Sequence, residues 1–327
     1  MKQILQYLFN HNTLTRAEAK AILIEIAQNK FNENEVTSFV TVFLMRTITL
    51  EELEGFREAL LQLAKPVNLG DDLVDIVGTG GDGKNTFNIS TLASFIVAGA
   101  GQKVAKHGNY GVSAISGSSN VLEELGYQFK DNEADLQNDL EKANLCFLHA
   151  PLFHPALKSV APLRKGLGLR TFFNILGPLV NPAQPEFSMI GIYSLEIARL
   201  YQYLLQKKNT QFMLVYALDG YDEISLTGDT KIFDRSGENI FSAEELDFKN
   251  IEAETISGGK TQAESAEIFL QILKGNGSWE QNAVVLANAA KALEMTQKSG
   301  AYSACLDLAK ESLHSGNALK CLELLRN

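Results

Sequence analysis

The chain has 327 residues, of which 45% are hydrophobic, so it can bury a large core, and this length predicts one large and one small domain. It is acidic overall, with 29 Lys and Arg against 39 Asp and Glu, which argues against the large basic face of nucleic-acid-binding proteins. Its three cysteines have no CxxC spacing and no apolar run approaches 18 residues, so we expect a soluble cytoplasmic protein without a disulfide frame, a zinc site or a signal peptide.

Residues 1–66 predict a small helical domain. Three capping-box patterns, each with Glu three residues after Thr or Asn, begin short amphipathic helices there: Thr15/Glu18, Asn32/Glu35 and Thr49/Glu52. The pattern then changes, and from residue 72 to 327 short apolar strands alternate with helices. The predicted strands are 73–77, 104–105, 145–148, 189–192 and 212–218. The predicted helices include 92–100, 135–143, 195–207 and a helical region from about residue 263. This alternation predicts an α/β domain with a mostly parallel sheet.

The glycine-rich run at residues 78–83 is the most informative segment of the chain, because it lies between a predicted strand and a predicted helix. Such a turn directs backbone N–H groups and the positive end of the helix to one point, which is a site for phosphate. The polar residues from Asn85 to Thr91 add donors and an N-cap at the same helix start. In open parallel sheets, ligands bind beyond the carboxyl ends of the strands, where this loop falls.

Two nucleotide-binding interpretations of this loop fail. Three of its glycines match the dinucleotide fingerprint, but no Asp or Glu follows Asp82 until Glu123, so the acid that would hold the ribose hydroxyls is missing. A P-loop interpretation fails because Asn85 stands where the Mg²⁺-binding Ser or Thr belongs. An ordinary glycine-rich turn is the plain alternative.

Two segments of this acidic chain have basic charges only. Residues 83–122 contain three lysines and no acid, and residues 142–185 contain five basic residues and no acid. Together they carry +8, which leaves −18 for the rest of a chain of net charge −10. We therefore expect these segments to serve a small, highly charged metabolite, since the net charge repels polyanions.

Three further motifs point to the same site. The run Lys-His-Gly-Asn at 106–109 follows a predicted strand and precedes a Ser/Gly loop at 113–119, which together predict a second anion cradle. The adjacent acids Asp222 and Glu223 follow strand 212–218 and suit Mg²⁺, with an exposed acidic turn as the alternative. Arg164 falls in the second basic segment, where capping of a helix C-terminus is its structural alternative.

The motifs resemble the anthranilate phosphoribosyltransferase family. The resemblance is carried by Gly-Thr-Gly-Gly-Asp at 78–82, Asn-Ile-Ser-Thr at 88–91, the run at 106–109 and above all Asn-Ile-Leu-Gly-Pro-Leu-Val-Asn-Pro at 174–182. It implies a small N-terminal helical domain hinged to a larger α/β domain with a central mostly parallel sheet, and part of 155–185 crossing back to the small domain. It also implies a homodimer through the helical domain, and transfer of the phosphoribosyl group of 5-phosphoribosyl 1-pyrophosphate (PRPP) to anthranilate in tryptophan biosynthesis.

The resemblance further implies the roles of individual residues. The catalytic residues would be Lys106, Asp222 and Glu223, and two Mg²⁺ ions per monomer would be bound by Ser90, Asp222 and Glu223. Anthranilate would meet Gly78, Asn109 and Arg164. PRPP would bind to residues of the glycine loop, the helix start and the second cradle: Gly78, Gly81, Asp82, Thr86, Asn88, Ile89, Ser90, Thr91, Lys106, His107, Gly108, Asn109 and Ser118.

Three positions depart from the family pattern. Tyr110 stands where the family usually has Arg, Asn120 where it usually has Asp, and His149 where an aromatic residue is common. If the usual Arg and Asp form a pair, their joint replacement by neutral residues avoids burying a lone charge.

Two other functions remain to be separated from this one. A pyrimidine nucleoside phosphorylase would share the fold and the phosphate loop, but it usually lacks the run at 174–182. A nucleic-acid-binding paralogue without enzymatic activity should have lost metal or anthranilate residues and gained a basic surface. This chain keeps Asp222, Glu223, Asn109 and Arg164 and has a pI of about 5.1.

Overall fold

The structure is a computed structural model that describes residues 1–111, 115–298 and 300–326. The chain divides into two compact units. Residues Met1–Pro66 and Ala150–Gln184 form the first unit, and residues Val67–His149 and Pro185–Asn327 form the second. The segment with Arg164 and the Asn-Pro-rich run at 174–182 thus folds with the N-terminal helices.

The first unit is helical, and its capping boxes form as predicted. Thr15, Asn32 and Thr49 each accept a hydrogen bond from the backbone N–H of the Glu three residues on, and that Glu side chain bonds back to the cap residue. The helices are α1 (Lys2–Phe9), α2 (Arg16–Ala27), α3 (Glu33–Met45), α4 (Leu50–Leu63), α8 (Ala150–Phe153) and α9 (Pro155–Leu167), followed by a 3₁₀ turn at Gly177–Leu179.

Aromatic packing fixes the segment 150–184 to the N-terminal helices. The ring of Phe172 stacks on Phe56 with centroids 4.6 Å apart and meets Phe43 edge-on at 5.0 Å. Phe39 completes the cluster at 6.3 Å from Phe172. Such ring pairs stabilise a core beyond the apolar area that they bury.

The second unit is built on a seven-stranded sheet, in the part of the chain that the structure describes, with the order β3-β2-β1-β4-β5-β6-β7. Its strands are β1 (Val74–Gly78), β2 (Val104–Gly108), β3 (Leu145–His149), β4 (Phe187–Gly191), β5 (Gln211–Ala217), β6 (Thr230–Phe233) and β7 (Glu238–Phe241). Its helices are α5 (Ile89–Gly99), α6 (Ser118–Glu124), α7 (Glu133–Ala143), α10 (Leu195–Gln206), α11 (Gln262–Leu273), α12 (Trp279–Met295), α13 (Tyr302–His314) and α14 (Asn317–Arg326), with 3₁₀ turns at Glu244–Leu246 and Ala253–Ile256.

The predicted strands all form, and the predicted fold class is confirmed. Strands β1 to β5 pair in parallel, whereas β6 and β7 add an antiparallel hairpin that the sequence did not predict. The chain leaves β1 toward β2 on one side, and β4 lies against β1 on the other. The order of the strands therefore reverses between β1 and β4, and the carboxyl ends at such a point are where open α/β sheets bind ligands.

No helix in the described residues is both long and apolar enough to cross a membrane.

Candidate active site

The glycine loop begins at the end of β1 and turns back over the neighbouring strand. The backbone N–H and the hydroxyl of Thr79 both donate to the carbonyl oxygen of Gly191, at 2.9 and 3.1 Å. Gly80, Gly81 and Gly83 have φ of 62°, 82° and 77°, a region that residues with a Cβ rarely adopt. The loop then reaches α5 through a bridge between Thr86 and Ser257.

The first turn of α5 differs from the sequence prediction in one respect. Asn88 occupies the N-cap position, but its side chain makes no cap bond. It donates instead to the carbonyl oxygen of Ser116 at 3.1 Å, which ties the helix start to the second cradle. The N–H of Ser90 donates to Glu223 Oε1 at 3.2 Å, while Ile89 and Thr91 are buried. The positive end of the helix thus faces an acid and suits a bound anion.

Asp222 and Glu223 lie in bends beyond the turn that follows β5, and the exposed-turn alternative is wrong for them. Asp222 is buried and its Oδ2 accepts from Gly80 N–H at 2.7 Å, whereas Glu223 is half-buried. Burial raises the pKa of Asp222, and the charge of Asp82 raises it further. Burial also raises the pKa of Glu223, and the charge of Asp222 adds to this effect. Three carboxylates therefore act on one another here, and the nearby charge of Lys106 opposes the rise at Glu223.

Lys106 lies on β2 and is buried, with its ammonium donating to the carbonyl oxygen of Ile76. Burial lowers the pKa of Lys106, while the nearby charges of Asp75 and Glu223 raise it. Asp75 is itself buried on β1 and accepts from the backbone N–H of His107 at 3.1 Å. Sequence reasoning assigns no site role to Asp75, although an acid inside the apolar strand 73–77 is a signal that points to one.

The described ends of the second cradle meet after β2. The carbonyl oxygen of Asn109 accepts from Ser119 N–H at 3.2 Å and from the Ser118 hydroxyl at 3.4 Å. Gly108 allows this approach, because a Cβ there would overlap the Ser118 hydroxyl. Residues 112–114, which include part of the loop predicted at 113–119, lie outside the described residues.

Tyr110 and Asn120, two of the departures from the family pattern, make separate contacts. Tyr110 has its hydroxyl 3.5 Å from Glu123 and its ring edge-on to His149, with centroids 4.9 Å apart. Asn120 Oδ1 accepts from the backbone N–H groups of Gly111 and Gly117. A compensated exchange of charges between positions 110 and 120 stays a prediction.

Gly191 is a residue of the site that sequence reasoning missed. It is the last residue of β4 and lies in register with Gly78, the last residue of β1. A Cβ on Gly191 would overlap the carbonyl oxygen of Asp222, and a Cβ on Gly78 would lie 2.5 Å from the Asp222 carboxylate. The two glycines leave the space in which Asp222 lies.

Arg164 lies in the first unit, in the last turn of α9. Its guanidinium lies 5.6 Å from the centre of the Phe173 ring, and Nη2 is 3.5 Å from Asn174 Oδ1. Burial lowers the pKa of this guanidinium. Except for Arg164, the predicted site residues lie in the second unit, at or close to the carboxyl ends of β1, β2 and β5.

The donor set fits a hard divalent cation. Asp222, Glu223 and Ser90 offer oxygen atoms only, and the charge of Asp82 raises the pKa of both paired acids. Within the described ranges, no group of three or more His, Cys, Asp or Glu side chains could hold a metal ion. Mg²⁺ usually binds through one or two carboxylates together with substrate phosphates, so the pair fits a cation that enters with a phosphorylated substrate.

The chain combines a helical bundle with an α/β domain, and its glycine loop and acid pair meet where the order of the strands reverses. This combination is typical of a class of glycosyl transferases. The helical bundle domain of the glycosyl transferase family matches residues 2–64, and its a/b domain matches residues 70–319. The anthranilate phosphoribosyltransferase of Flavobacterium johnsoniae is 52% identical over 327 residues, which are 100% of this chain and 99% of that protein. The chain therefore belongs to the anthranilate phosphoribosyltransferase family, as its motifs predicted.

Solved structures of this family have the same fold. The Thermus thermophilus enzyme matches with a TM-score of 0.90 and 30% identity, covering 99% of both chains. The Saccharomyces cerevisiae enzyme in complex with PRPP and Mg matches with a TM-score of 0.89 and 28% identity, covering 98% of this chain and 95% of that one. A further structure of the yeast enzyme holds 4-fluoroanthranilate.

Proposed function

We propose that this chain transfers the phosphoribosyl group of PRPP to the amine of anthranilate, giving N-(5-phosphoribosyl)anthranilate and pyrophosphate for tryptophan biosynthesis. The observation that carries the proposal is the meeting of the glycine loop, the start of α5 and the acid pair, in a chain of this family. The bond from ribose C1 to the pyrophosphate oxygen breaks, and its electron pair leaves on pyrophosphate. The amine lone pair forms the new C1–N bond, and the amine proton passes to solvent.

The phosphates of PRPP are assigned to the backbone donors and the basic groups of the second unit. Backbone N–H groups at the start of α5 would hold the 5-phosphate, with Thr86 and Asn88 beside them. The second cradle, from Lys106 to Ser118, would hold the pyrophosphate. Lys106 is buried next to Glu223, and its amine group would face the pyrophosphate as that leaving group develops negative charge.

Two Mg²⁺ ions per monomer are proposed at the acid pair. Ser90, Asp222 and Glu223 would hold them, since their oxygen atoms fit a hard cation. Bound Mg²⁺ supplies charge neutralisation for the departing pyrophosphate.

Anthranilate is assigned to Gly78, Asn109 and Arg164. Its aromatic amine is neutral at pH 7, so the reaction demands no strong general base from the protein. Placing the amine close to C1 then supplies much of the remaining rate.

Purified protein should form phosphoribosyl-anthranilate from PRPP and anthranilate only when Mg²⁺ is present. The loss of anthranilate fluorescence measures the turnover, and uridine or thymidine with phosphate serves as the competing substrate pair. Undiminished activity in excess chelator would contradict the role of the acid pair. Cleavage of the nucleosides without anthranilate turnover would assign the chain to the phosphorylases.

Arg164→Ala should raise the KM for anthranilate by about tenfold and leave the KM for PRPP nearly unchanged, because Arg is suited to pairing a carboxylate. Arg164→Lys should recover only part of the loss, since Lys keeps the charge but not the planar fork. Lys165→Ala, the exposed neighbour on the same helix, is the matched control. Equal effects on both KM values, or a loss of melting temperature alone, would leave Arg164 with a structural role.

The homodimer and the cytoplasmic location stay predictions. The exposed side chains of Tyr7 and Phe9 on α1, and of Leu44 and Met45 at the end of α3, suit a second copy of the helical unit. Light scattering at micromolar concentration tests this assignment, and a monomeric mass would contradict it.

A further inference from the structure

A series of ring contacts connects the guanidinium of Arg164 to the buried core of the first unit. The rings of Phe56 and Phe172 stack with centroids 4.6 Å apart, and Phe173 stacks on Phe172 at 4.3 Å. The guanidinium of Arg164 lies over the Phe173 ring, 5.6 Å from its centre. Because all three rings are buried, the face of the guanidinium packs against a side chain that is itself held in place.

Two hydrogen bonds also restrain Arg164. Its carbonyl oxygen accepts from the N–H of Gly168 at 3.2 Å, where α9 ends, and its Nη2 donates to Asn174 Oδ1 at 3.5 Å. The same atom of Asn174 accepts from the N–H of Thr171 at 3.0 Å, so the amide is fixed by the backbone. Asn174 thus joins the last turn of α9 to the turn at 171–174.

The guanidinium of Arg164 has no acidic partner among the residues that the structure describes. Burial lowers the pKa of Arg164, and no carboxylate in those residues opposes this effect. Arg46, in the same unit, pairs instead with the buried Glu52 through two of its nitrogens. An arginine that is restrained and has no carboxylate of its own is suited to receive one from a ligand.

We infer that Phe173 and Asn174 are positioning residues for anthranilate, which hold the guanidinium of Arg164 in one orientation before the carboxylate arrives. The inference rests on the proposed function and deepens it. A mobile arginine loses conformational freedom when it binds a ligand, whereas Arg164 has lost part of that freedom on folding. Both side chains therefore act through Arg164 and not on the substrate.

Phe173→Leu removes the ring under the guanidinium and keeps an apolar side chain. It should raise the KM for anthranilate and its dissociation constant by about fivefold, the effect of immobilising one long side chain at the binding step. The KM for PRPP should stay nearly unchanged. In an Arg164→Ala protein the same substitution should have almost no further effect on the KM for anthranilate, because the group that Phe173 positions is already absent.

Asn174→Asp separates the positioning of Arg164 from the support of the turn. A carboxylate at this position can still accept from the N–H of Thr171, so the melting temperature should change little. The new carboxylate also pairs with the guanidinium and competes with anthranilate for it, so the KM for anthranilate should rise by about tenfold or more. A residue that serves only the turn would tolerate this exchange.

Phe39→Leu is the matched control in the same aromatic cluster. Phe39 is buried and meets Phe172 edge-on at 6.3 Å, so this variant loses a core ring while the three stacked rings remain. It should lower the melting temperature about as much as Phe173→Leu and keep the wild-type KM for both substrates. Calorimetry with anthranilate measures binding without turnover, and thermal melting shows whether each variant folds.

A wild-type KM for anthranilate in a folded Phe173→Leu protein would overturn the inference, and so would an equal rise in Phe39→Leu. Effects of Phe173→Leu and Arg164→Ala that simply add would have the same meaning. If Phe173→Leu fails to fold, Asn174→Asp decides, because an unchanged KM for anthranilate in that variant overturns the inference. Wild-type protein that does not consume anthranilate would overturn the proposed function, a result that is known before any variant is compared.

Discussion

Replacing Asp222 with Asn and Glu223 with Gln should lower kcat/KM by about a thousandfold or more, while raising the melting temperature of the substrate-free protein. The rate falls because neutral amides cannot hold Mg²⁺ at the leaving pyrophosphate. Stability rises because both carboxyls have a raised pKa, owing to burial, to the charge of Asp82 and, at Glu223, to the charge of Asp222. Folding with these groups ionised costs free energy at pH 8, and the amides avoid that cost.

The amides should leave the local hydrogen bonds in place. Asp222 Oδ2 accepts from Gly80 N–H and Glu223 Oε1 from Ser90 N–H, and an amide oxygen can accept each of these bonds. Glu223 also lies near the charge of Lys106, so the single variant Asp222→Asn isolates the repulsion between carboxylates. We expect it to be stabilised by on the order of 1 kcal/mol, the worth of about one pKa unit.

Thermal melting with and without PRPP and Mg²⁺ tests both parts of this prediction. The ligands should raise the melting temperature of the wild type by mass action, and that of the double variant much less. Asp219→Asn, an exposed acid in the preceding turn, is the control and should match the wild type in rate. A double variant that turns over normally, or one that is destabilised, would show that the acid pair serves the fold.

Local signals in the sequence were enough for much of this fold. The capping boxes at Thr15, Asn32 and Thr49 depend on residues three apart, and all three form. The strands that lead to the site are apolar runs, and they also form where the pattern put them. The hairpin β6–β7 was not predicted, because the residues of β7 are mostly exposed and supply no apolar alternation.

The parts of the site that escaped prediction depend on residues distant in sequence. Asn88 has the composition of a helix cap, yet its amide bonds to Ser116, 28 residues away. The same limit applies to Asp75, whose partner is the backbone of His107 on the next strand. Sequence patterns identify the residue types that bind phosphate and metal, whereas the packing of separate loops decides which of them meet.

Gly191→Ala should lower kcat/KM by about a hundredfold or more although it adds only one methyl group. The new Cβ would overlap the carbonyl oxygen of Asp222, which is backbone and cannot rotate away. The segment with the acid pair must therefore shift away from β4, and with it the carboxylates of Asp222 and Glu223. Overpacking of this kind also costs about 1–3 kcal/mol of stability.

Gly228→Ala provides the matched control for this prediction. Its Cβ would lie 3.6 Å from the nearest atom of Asp219, an ordinary van der Waals contact, and its backbone angles suit an L-residue. It should keep the wild-type rate and gain slightly in stability, since Ala restricts the unfolded chain. Gly191→Ala should also need more Mg²⁺ for half-maximal activity, because its acid pair is displaced. A folded Gly191→Ala protein with the wild-type Mg²⁺ requirement and rate would mean that the glycine does not position the acid pair.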